Sequence, residues 1–419
     1  MTFQSSSSPN APPIPASNGF RVVDTASSQG APLSPSNFGG LETNGDLVAP
    51  LPFLPTSRLY LAVDCGGTKA AAAISDQNGR LLARGFGGPA NFTDVGLAKF
   101  LEAVSAAIKQ ALLVVICSQG ELPHPTPLFE AAWFGIAGVD SASDVHQLSP
   151  FLASLLSLPQ PSKRLLVAND TSLLAAPVRD PEYPSIRSGV VVIAGTGSIV
   201  MSFKEEEDGT LTTLNRVGGF GWLLGDEGSG FWVGRDALRY VLDQADRERS
   251  SSRTDNSSEL GRHLLRDRIL EQWHLSSTDE LLNAVYSNRP LASSSKASTT
   301  QSLQERKHRL ASLAPLVFHL AFKHGDPCSL SILQGQARGL ASQVAAILRT
   351  EPGWDSHLEA SSSVLCMGGS LLGVERYREL LTEELRLQGI VFHRCVFVGD
   401  PAKSGAIALA RLWEGGEKR

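Results

Sequence analysis

One local pattern occurs twice in this chain, and it constrains the fold more than any other feature. A short apolar strand, a turn built from Gly and Thr, a second strand and a polar turn make up Leu59–Gly79, and the same order returns at Val190–Gly209. Such a repeat indicates two related halves of the chain. After each copy, helical and strand patterns alternate, which is typical of an α/β domain with a mixed sheet. The sequence therefore predicts a duplicated α/β fold with a cleft between its two domains.

The size and charge of the chain are compatible with this fold. Its 419 residues, 42% of them apolar, are enough for two buried cores, and the formal net charge is −5. Charges of both signs are mixed, so no basic face is available for nucleic acid. Continuous apolar runs are shorter than a membrane span needs, so no membrane is expected. Five cysteines without a CxxC pair indicate no disulfide framework and no thiolate metal site, which favours the cytoplasm.

Composition divides the chain into four parts. They are residues 1–57, 58–187, 188–403 and 404–419. We expect the first, which is rich in Ser and Pro, to be a disordered tail. The second and third are predicted to be the N-terminal and C-terminal α/β domains, and the last a helix that packs back on the N-terminal domain. Two Ser-rich stretches, Ser250–Ser258 and Ser293–Ser302, are expected to form surface loops.

Periodicity also predicts individual elements. Continuous apolar runs indicate strands at Ala131–Ile136 and Ser188–Ala194. A helix-compatible pattern covers Lys307–Lys323, and a strand is predicted at Ile390–Phe397.

The two Gly/Thr turns are candidate phosphate sites. Each joins one strand to the next, so backbone N–H groups can face outward where no Cβ blocks an anion. Either turn alone is equally compatible with a simple tight turn, but two of them facing a cleft could hold one nucleotide from both sides. The candidate residues are Gly66, Gly67, Thr68, Lys69, Gly195, Thr196 and Gly197. Asp64, at the end of the strand before the first turn, is a candidate ligand of Mg²⁺ through water.

A third glycine cluster follows both turns in the chain. Gly368, Gly369 and Ser370 come after a predicted strand and before a helix, with Gly373 close behind. Small residues at such a turn leave flat space for a nucleoside. Close packing of a helix on a strand is the alternative interpretation.

Taken in chain order, five segments resemble the motifs of the BadF/BadG/BcrA/BcrD-type ATPase family. They are DCGGTK (64–69), NDTSLLAA (169–176), AGTGS (194–198), GGFGWLLGDEGSG (218–230) and CMGGSLLG (366–373). Within that family the chain is most similar to eukaryotic N-acetylglucosamine kinases of the sugar kinase/heat-shock 70/actin superfamily. The resemblance implies duplicated ribonuclease H-like domains of the actin-like ATPase type, with MgATP in the interdomain cleft.

The resemblance also implies roles for particular residues. Asp170 matches the catalytic base, a role that suits a carboxylate within reach of a sugar hydroxyl, whereas a helix N-cap is the alternative. The implied sugar contacts are Asn91, Asp170, Ser198, Ile199, Gly219, Phe220, Gly221, Trp222, Leu223 and Asp226. Asn91 as a turn residue and Trp222 as a core aromatic are the alternatives there. The pair Phe92-Thr93 stands where the animal enzymes have His-Trp, which weakens any inference about an acetamido pocket.

The resemblance and the residues together predict a function. We expect ATP-dependent phosphorylation of N-acetyl-D-glucosamine at the 6-hydroxyl, with ATP and Mg²⁺ as cofactors. The alternatives are a kinase for glucosamine or another hexose, and a non-catalytic ATP-binding switch of the heat-shock 70/actin type. The expected partner is a small-molecule sugar, and a homodimer stays open. The scattered cysteines do not supply the iron–sulfur site found in the redox branch of the family, and no zinc motif is present.

Overall fold

The structure is a computed structural model. It describes residues 22–24, 58–119, 127–180, 182–207, 210–250, 263–286, 303–349 and 358–416. Most of the predicted tail and of the two Ser-rich stretches lies outside these residues. Within the tail, Val22–Asp24 forms a strand rather than the expected disordered chain.

The strands are β1 (Val22–Asp24), β2 (Leu59–Cys65), β3 (Ala70–Asp76), β4 (Leu81–Gly87), β5 (Ala131–Ile136), β6 (Leu165–Ala168), β7 (Ser188–Ala194), β8 (Ser198–Glu205), β9 (Leu211–Gly218), β10 (Val364–Gly368) and β11 (Arg394–Phe397). The helices are α1 (Phe92–Gln119), α2 (Ala142–Leu155), α3 (Thr171–Leu174), α4 (Gly230–Ser250), α5 (Leu264–Trp273), α6 (Glu280–Tyr286), α7 (Leu303–Ala311), α8 (Ala314–Lys323), α9 (Pro327–Leu348), α10 (Glu375–Leu387) and α11 (Pro401–Gly416). Short 3₁₀ turns follow α3 and precede β10.

The two sheets share one topology. In the first, β2, β3 and β4 form an antiparallel meander, and β5 and β6 continue it in parallel on the other side of β2. In the second, β7, β8 and β9 form the meander, and β10 and β11 add in parallel beside β7. Strand β1 pairs in parallel with the outer edge of β11. The predicted duplicated α/β fold is confirmed.

Helix α1 packs very close to the first sheet because β4 carries two glycines. A Cβ atom at Gly85 would lie 2.1 Å from the Ala107 carbonyl oxygen, and one at Gly87 would lie 2.0 Å from that of Ala103. The segment Phe92–Cys117 is also long and apolar enough, by length and composition, to cross a membrane. In the structure its apolar face packs in the N-terminal core, as expected for a core helix of a globular domain.

The C-terminal helix α11 packs against the N-terminal sheet. Its small residues, including Ala402, Ala406 and Ala410, are buried in one cluster with Tyr60 and Trp133. The Tyr60 hydroxyl donates a hydrogen bond to Glu414 at 2.6 Å, near the end of the helix. The helix therefore connects the end of the chain to the domain in which the first sheet lies.

Two predicted elements differ from the structure. Lys307–Lys323 is not one helix: α7 ends at Ala311 and α8 begins at Ala314, with Pro315, which has no N–H to donate, in the first turn of α8. Ile390–Phe397 is a strand only from Arg394 onward. The Ile390 N–H instead donates to the Leu385 carbonyl oxygen at 2.9 Å, closing the C-terminus of α10 around a left-handed glycine.

Candidate functional site

Three strand ends of the first sheet bring two predicted site residues together. Across the parallel pairs, Asp64 of β2 lies opposite Gly135 of β5, and Gly135 lies opposite Ala168 of β6. Asp170 follows just after β6, and a Cβ atom at Gly135 would lie 3.1 Å from the Asp170 Cα atom. Because Gly135 has no side chain, the turn that carries Asp170 packs directly over the middle strand. Asp64 and Asp170 are therefore neighbours.

Both carboxyl groups have perturbed acidities. Burial chiefly, and then the charge of Asp170, raise the pKa of Asp64 to about 7 against the opposing effect of Lys69. Burial also raises the pKa of Asp170, against the effect of the Thr171 backbone N–H and with an added contribution from Asp140. Neighbouring half-buried carboxyl groups fit a divalent cation, which prefers oxygen ligands and would offset their repulsion. They also fit proton transfer, which needs a carboxylate with a raised pKa.

The carboxylate of Asp170 is not a helix cap. Asp170 occupies the N-cap position of α3, yet its side chain makes no capping hydrogen bond. Asn169 Oδ1 instead accepts from the Thr171 N–H at 3.1 Å and from the Thr171 hydroxyl at 2.8 Å. Asn169 therefore closes the start of α3, and the Asp170 carboxylate, whose pKa the Thr171 N–H lowers, keeps acceptor sites for other contacts.

The first Gly/Thr turn presents open backbone beside Asp64. The Gly66 N–H donates to the Lys69 carbonyl at 3.0 Å, which closes the turn. Gly67, Thr68 and Lys69 are exposed, and a Cβ atom at Gly67 would meet nothing within 4 Å. Such a turn can bind an anion through its backbone donors.

The second Gly/Thr turn meets the third glycine cluster at the end of β7. The Gly195 N–H donates to the Gly197 carbonyl at 2.9 Å, and the Gly230 N–H at the start of α4 donates to the Gly195 carbonyl at 2.7 Å. A Cβ atom at Gly369 would lie 2.4 Å from the carbonyl oxygen of Ala194. Gly369 also has a φ of 91°, so only glycine fits both the conformation and the close approach. The same two turns contain Thr196, Gly368, Ser370 and Gly373. The predicted phosphate and nucleoside turns are therefore adjacent.

Asp226 anchors the segment 218–230 against the second turn. Its side chain is 4% exposed, and its carboxylate accepts backbone hydrogen bonds from Ser198 and Gly221. A Cβ atom at Gly197 would lie 2.7 Å from Asp226 Oδ2, so this glycine is what allows the contact. Burial raises the pKa of Asp226. The structure thus places Asp226 beside the predicted phosphate turn, already bonded to two backbone donors.

Two glutamines on α9 bind the other side of this segment, and no sequence motif pointed to them. Gln336 accepts a hydrogen bond from the Gly228 N–H at 3.0 Å and donates one to Asp236 Oδ2 at 2.6 Å. Gln343 donates to the Glu227 carbonyl at 3.2 Å. The two lie seven residues apart, on one face of the helix. Polar residues at that spacing on an otherwise apolar face are the signal that could have revealed them.

The tip of the segment is apolar and faces solvent. Phe220, Leu223 and Leu224 are 67%, 70% and 81% exposed. Trp222 points the other way and packs edge-to-face on Phe231, with ring centroids 5.2 Å apart, which is the core-aromatic arrangement. Ile199, at the start of β8, packs beneath the segment, since a Cβ atom at Gly219 would lie 2.8 Å from its Cδ1.

Asn91 lies at the same end of the first sheet as Asp170, where β4 and β6 both terminate. Its Oδ1 accepts from the Thr93 N–H at 3.1 Å and from the Thr93 hydroxyl at 2.8 Å, so it caps the start of α1. Among the residues that the structure describes, its Nδ2 group has no hydrogen-bond partner. A Cβ atom at Gly138, just after β5, would lie 2.6 Å from Asn91 Oδ1.

Helix α3 joins the two groups of candidate residues. A Cβ atom at Gly368, at the end of β10, would lie 2.9 Å from Leu174 Cδ2, and one at Gly405 of α11 would lie 2.4 Å from Leu173 Cδ2. The helix that follows Asp170 therefore packs against the strand that leads into the predicted nucleoside turn. Asp170 lies at the junction of the two domains.

Comparison with known proteins agrees with this architecture. Residues 61–391 match the model of the BadF/BadG/BcrA/BcrD ATPase family, and the chain belongs to that family. The predicted family is confirmed.

Curated relatives and solved structures agree with this assignment. The N-acetyl-D-glucosamine kinase of Dictyostelium discoideum is 27% identical over 295 residues, covering 70% of this chain and 80% of the relative. The N-acetylmuramic acid/N-acetylglucosamine kinase of Clostridium acetobutylicum is 26% identical over 291 residues, covering 70% and 79%. A Chromobacterium violaceum structure assigned as an N-acetylglucosamine kinase is 22% identical with a TM-score of 0.51, covering 84% of this chain and 99% of that one. The predicted enzyme class, a sugar kinase, agrees with the names of both curated relatives.

Proposed function

We propose that the protein transfers the γ-phosphoryl group of ATP to the 6-hydroxyl of N-acetyl-D-glucosamine. The observation that carries this proposal is the Asp170 carboxylate, which is half-buried, makes no side-chain cap for α3 and lies beside Asp64 at the domain junction. Phosphoryl transfer needs little covalent chemistry from a protein. It needs a positioned hydroxyl, a group to accept its proton and neutralisation of phosphate charge.

In this proposal Asp170 accepts the proton of the sugar hydroxyl. Burial raises the pKa of Asp170, which makes its carboxylate a stronger base toward the proton of the sugar hydroxyl. Asp64 would hold Mg²⁺ through water, and Mg²⁺, when bound, neutralises charge on the phosphates. The N–H groups of the two Gly/Thr turns, with Thr68 and Thr196, would bind the phosphates. The cluster Gly368–Gly373 would accommodate the adenosine.

The sugar would lie between the Asn91 loop and the segment 218–230. The Nδ2 group of Asn91 is a donor for a hydroxyl or an acetamido oxygen. A carboxylate has about four acceptor sites, so Asp226 can accept a sugar hydroxyl beyond its two backbone donors. Ser198, Ile199 and Gly219–Leu223 would complete the wall.

An apolar substituent on the sugar would meet the tip of that segment. Phe92 is turned away from this region, because its ring packs edge-to-face on the core residue Phe100 with centroids 6.0 Å apart. The apolar surface left for an acetyl methyl is that of Phe220 and Leu223. Both curated relatives have N-acetylglucosamine in their names, and one also has N-acetylmuramic acid, which supports an N-acetylated amino sugar as the substrate.

A sugar panel tests the proposal. Release of ADP from MgATP is measured with N-acetylglucosamine, N-acetylmuramic acid, glucosamine and glucose, and the position of the new phosphate is determined by NMR. We expect the highest kcat/KM for N-acetylglucosamine and phosphate at C6. A higher kcat/KM for glucosamine or glucose would change the substrate assignment but leave the kinase activity supported. ATP binding without turnover of any sugar would instead favour the nucleotide-dependent switch.

A further inference from the structure

Asn169 uses its whole hydrogen-bonding capacity within the protein. Its Nδ2 group donates to Asp140 Oδ1 at 2.9 Å and to the Val139 carbonyl at 3.3 Å. Its Oδ1 accepts from the N–H and the hydroxyl of Thr171 at 3.1 and 2.8 Å. An asparagine side chain offers two donor hydrogens and two acceptor lone pairs, so none is left for a substrate.

From this we infer that Asn169 is a positioning residue that fixes the direction of the Asp170 carboxylate. Its Oδ1 makes the capping bonds at the start of α3, and its Nδ2 connects that start to the loop that contains Asp140. The inference rests on the proposed function, because it concerns the orientation of the proposed base. Asp is itself a favoured N-cap residue. The Thr171 N–H already lowers the pKa of Asp170, and without Asn169 the Asp170 carboxylate is its nearest remaining acceptor in sequence.

The tie reaches the proposed sugar contact as well. Gly138 and Asp140 belong to one loop after β5. Gly138 has a φ of 83° and lies against Asn91 and Thr93, with 2.6 Å from its ideal Cβ position to Asn91 Oδ1 and to Thr93 Oγ1. The Phe92 N–H donates to the Ala137 carbonyl at 3.0 Å, so hydrogen bonds join the loops after β4, β5 and β6 into one frame. Loss of the Asn169 bonds would loosen the base relative to the sugar loop.

The expected kinetic signature is a fall in kcat with little change in either KM. The residues proposed to bind ATP and sugar keep their contacts, whereas the base no longer points at the hydroxyl. Misplacement of a catalytic group by about 1 Å can cost about 10²-fold in rate. We therefore expect kcat of Asn169→Ala to fall by about 10²-fold, with both KM values within about threefold of wild type.

A swap of side chains tests the bond itself. In Asn169→Asp the new carboxylate still accepts from Thr171 but cannot donate to Asp140, and two carboxylates face each other. In the double variant Asn169→Asp/Asp140→Asn the donor and acceptor exchange places, so the bond is restored. We expect the single Asn169→Asp to resemble Asn169→Ala in kcat and the double variant to recover most of the loss.

A matched control separates positioning from stability. Val167→Ala, on the same strand and in the same core, removes apolar contacts but no hydrogen bond of the frame. It should lower the melting temperature while leaving kcat near wild type. If Asn169→Ala retained wild-type kcat, or if the double variant stayed as slow as Asn169→Asp, the inference would be wrong.

Amide hydrogen exchange tests the frame without catalysis. In Asn169→Ala, peptides covering 138–145 and 168–175 should exchange faster together, and in Val167→Ala the first of these should not. If the wild-type protein phosphorylated no sugar, the proposed function would fail, and this exchange pattern would still decide whether Asn169 joins the two loops. Unchanged exchange at 138–145 in Asn169→Ala would contradict the inference that Asn169 connects the two loops.

Discussion

Replacing Asp64 by asparagine should stabilise the ligand-free protein at neutral and higher pH. Burial and the neighbouring Asp170 raise the pKa of Asp64 from 3.8 to about 7, so the folded protein holds this proton more tightly than the unfolded chain does. The proton's contribution to stability is fully present below pH 3.8 and is lost as the pH rises through about 7. The shift corresponds to an upper bound of about 4 kcal/mol at 1.36 kcal/mol for each pH unit.

The free energy of unfolding, measured by urea denaturation from pH 4 to pH 8.5, checks this linkage. Other groups titrate in the same range, so the informative quantity is Asp64→Asn minus wild type. That difference should be near zero at pH 4 and reach about 1 to 4 kcal/mol by pH 8, because water reaching the partly exposed carboxylate reduces the upper bound. The same variant should lose kinase activity. A difference that stays flat with pH, or that favours wild type at pH 8, would refute the argument that Asp64 is held at an energetic cost.

Three further predictions follow from the same geometry. Asp170→Asn should keep the fold and ATP binding but lower kcat by at least about 10²-fold in the ADP-release assay, whereas near-normal turnover would exclude it as the base. Gly369→Ala should destabilise the protein by about 2 to 4 kcal/mol in thermal unfolding and raise the KM for ATP, since the methyl group meets the Ala194 backbone. The control Gly389→Ala, with a similar φ of 74° and no atom within 4 Å, should cost only about 1 to 2 kcal/mol. Equal losses of stability in the two variants would show that the close approach of Gly369 to Ala194 does not contribute. Selectivity for N-acetylglucosamine over glucosamine should be about 10- to 200-fold in kcat/KM, the range available to one small apolar group, and Phe220→Ser should reduce it.

Strands buried on both faces were the elements that the sequence predicted best. Ala131–Ile136 and Ser188–Ala194 have the same bounds in the structure as in the apolar pattern, because the central strands of each sheet lie between layers of helices. Strand β9 could not be located from its residues. Its sequence, LTTLNRVG, is half exposed at the sheet edge, and its place depends on hydrogen bonds from β8.

The residues of the candidate site that belong to sequence motifs could be predicted. The contacts between them could not, because those contacts depend on how the strands and helices pack. The adjacency of the Gly195 and Gly369 turns required the strand order β7–β10, which no local pattern contains. The capping role of Asn169 was hidden for a related reason. Asn and Asp are comparable N-cap residues, so the pair Asn169-Asp170 left open which side chain caps α3. Only the hydrogen bonds to Thr171 and Asp140 assign it.

The duplicated scaffold has different side chains at its equivalent strand ends, and this difference explains how two similar sheets can serve two purposes. In the first sheet, carboxylates occupy or follow the ends of β2, β5 and β6, so their mutual repulsion favours a cation and a proton acceptor. In the second sheet, the ends of β7 and β10 have alanine and glycines in contact through their backbones, and among the candidate residues a single carboxylate, that of Asp226, lies beside the Gly197 turn. Charge is therefore concentrated on the side where a hydroxyl would be deprotonated. Backbone of small residues lies where a nucleoside would pack, and α3 connects the two sheet ends because it follows Asp170 and its Leu174 packs against Gly368.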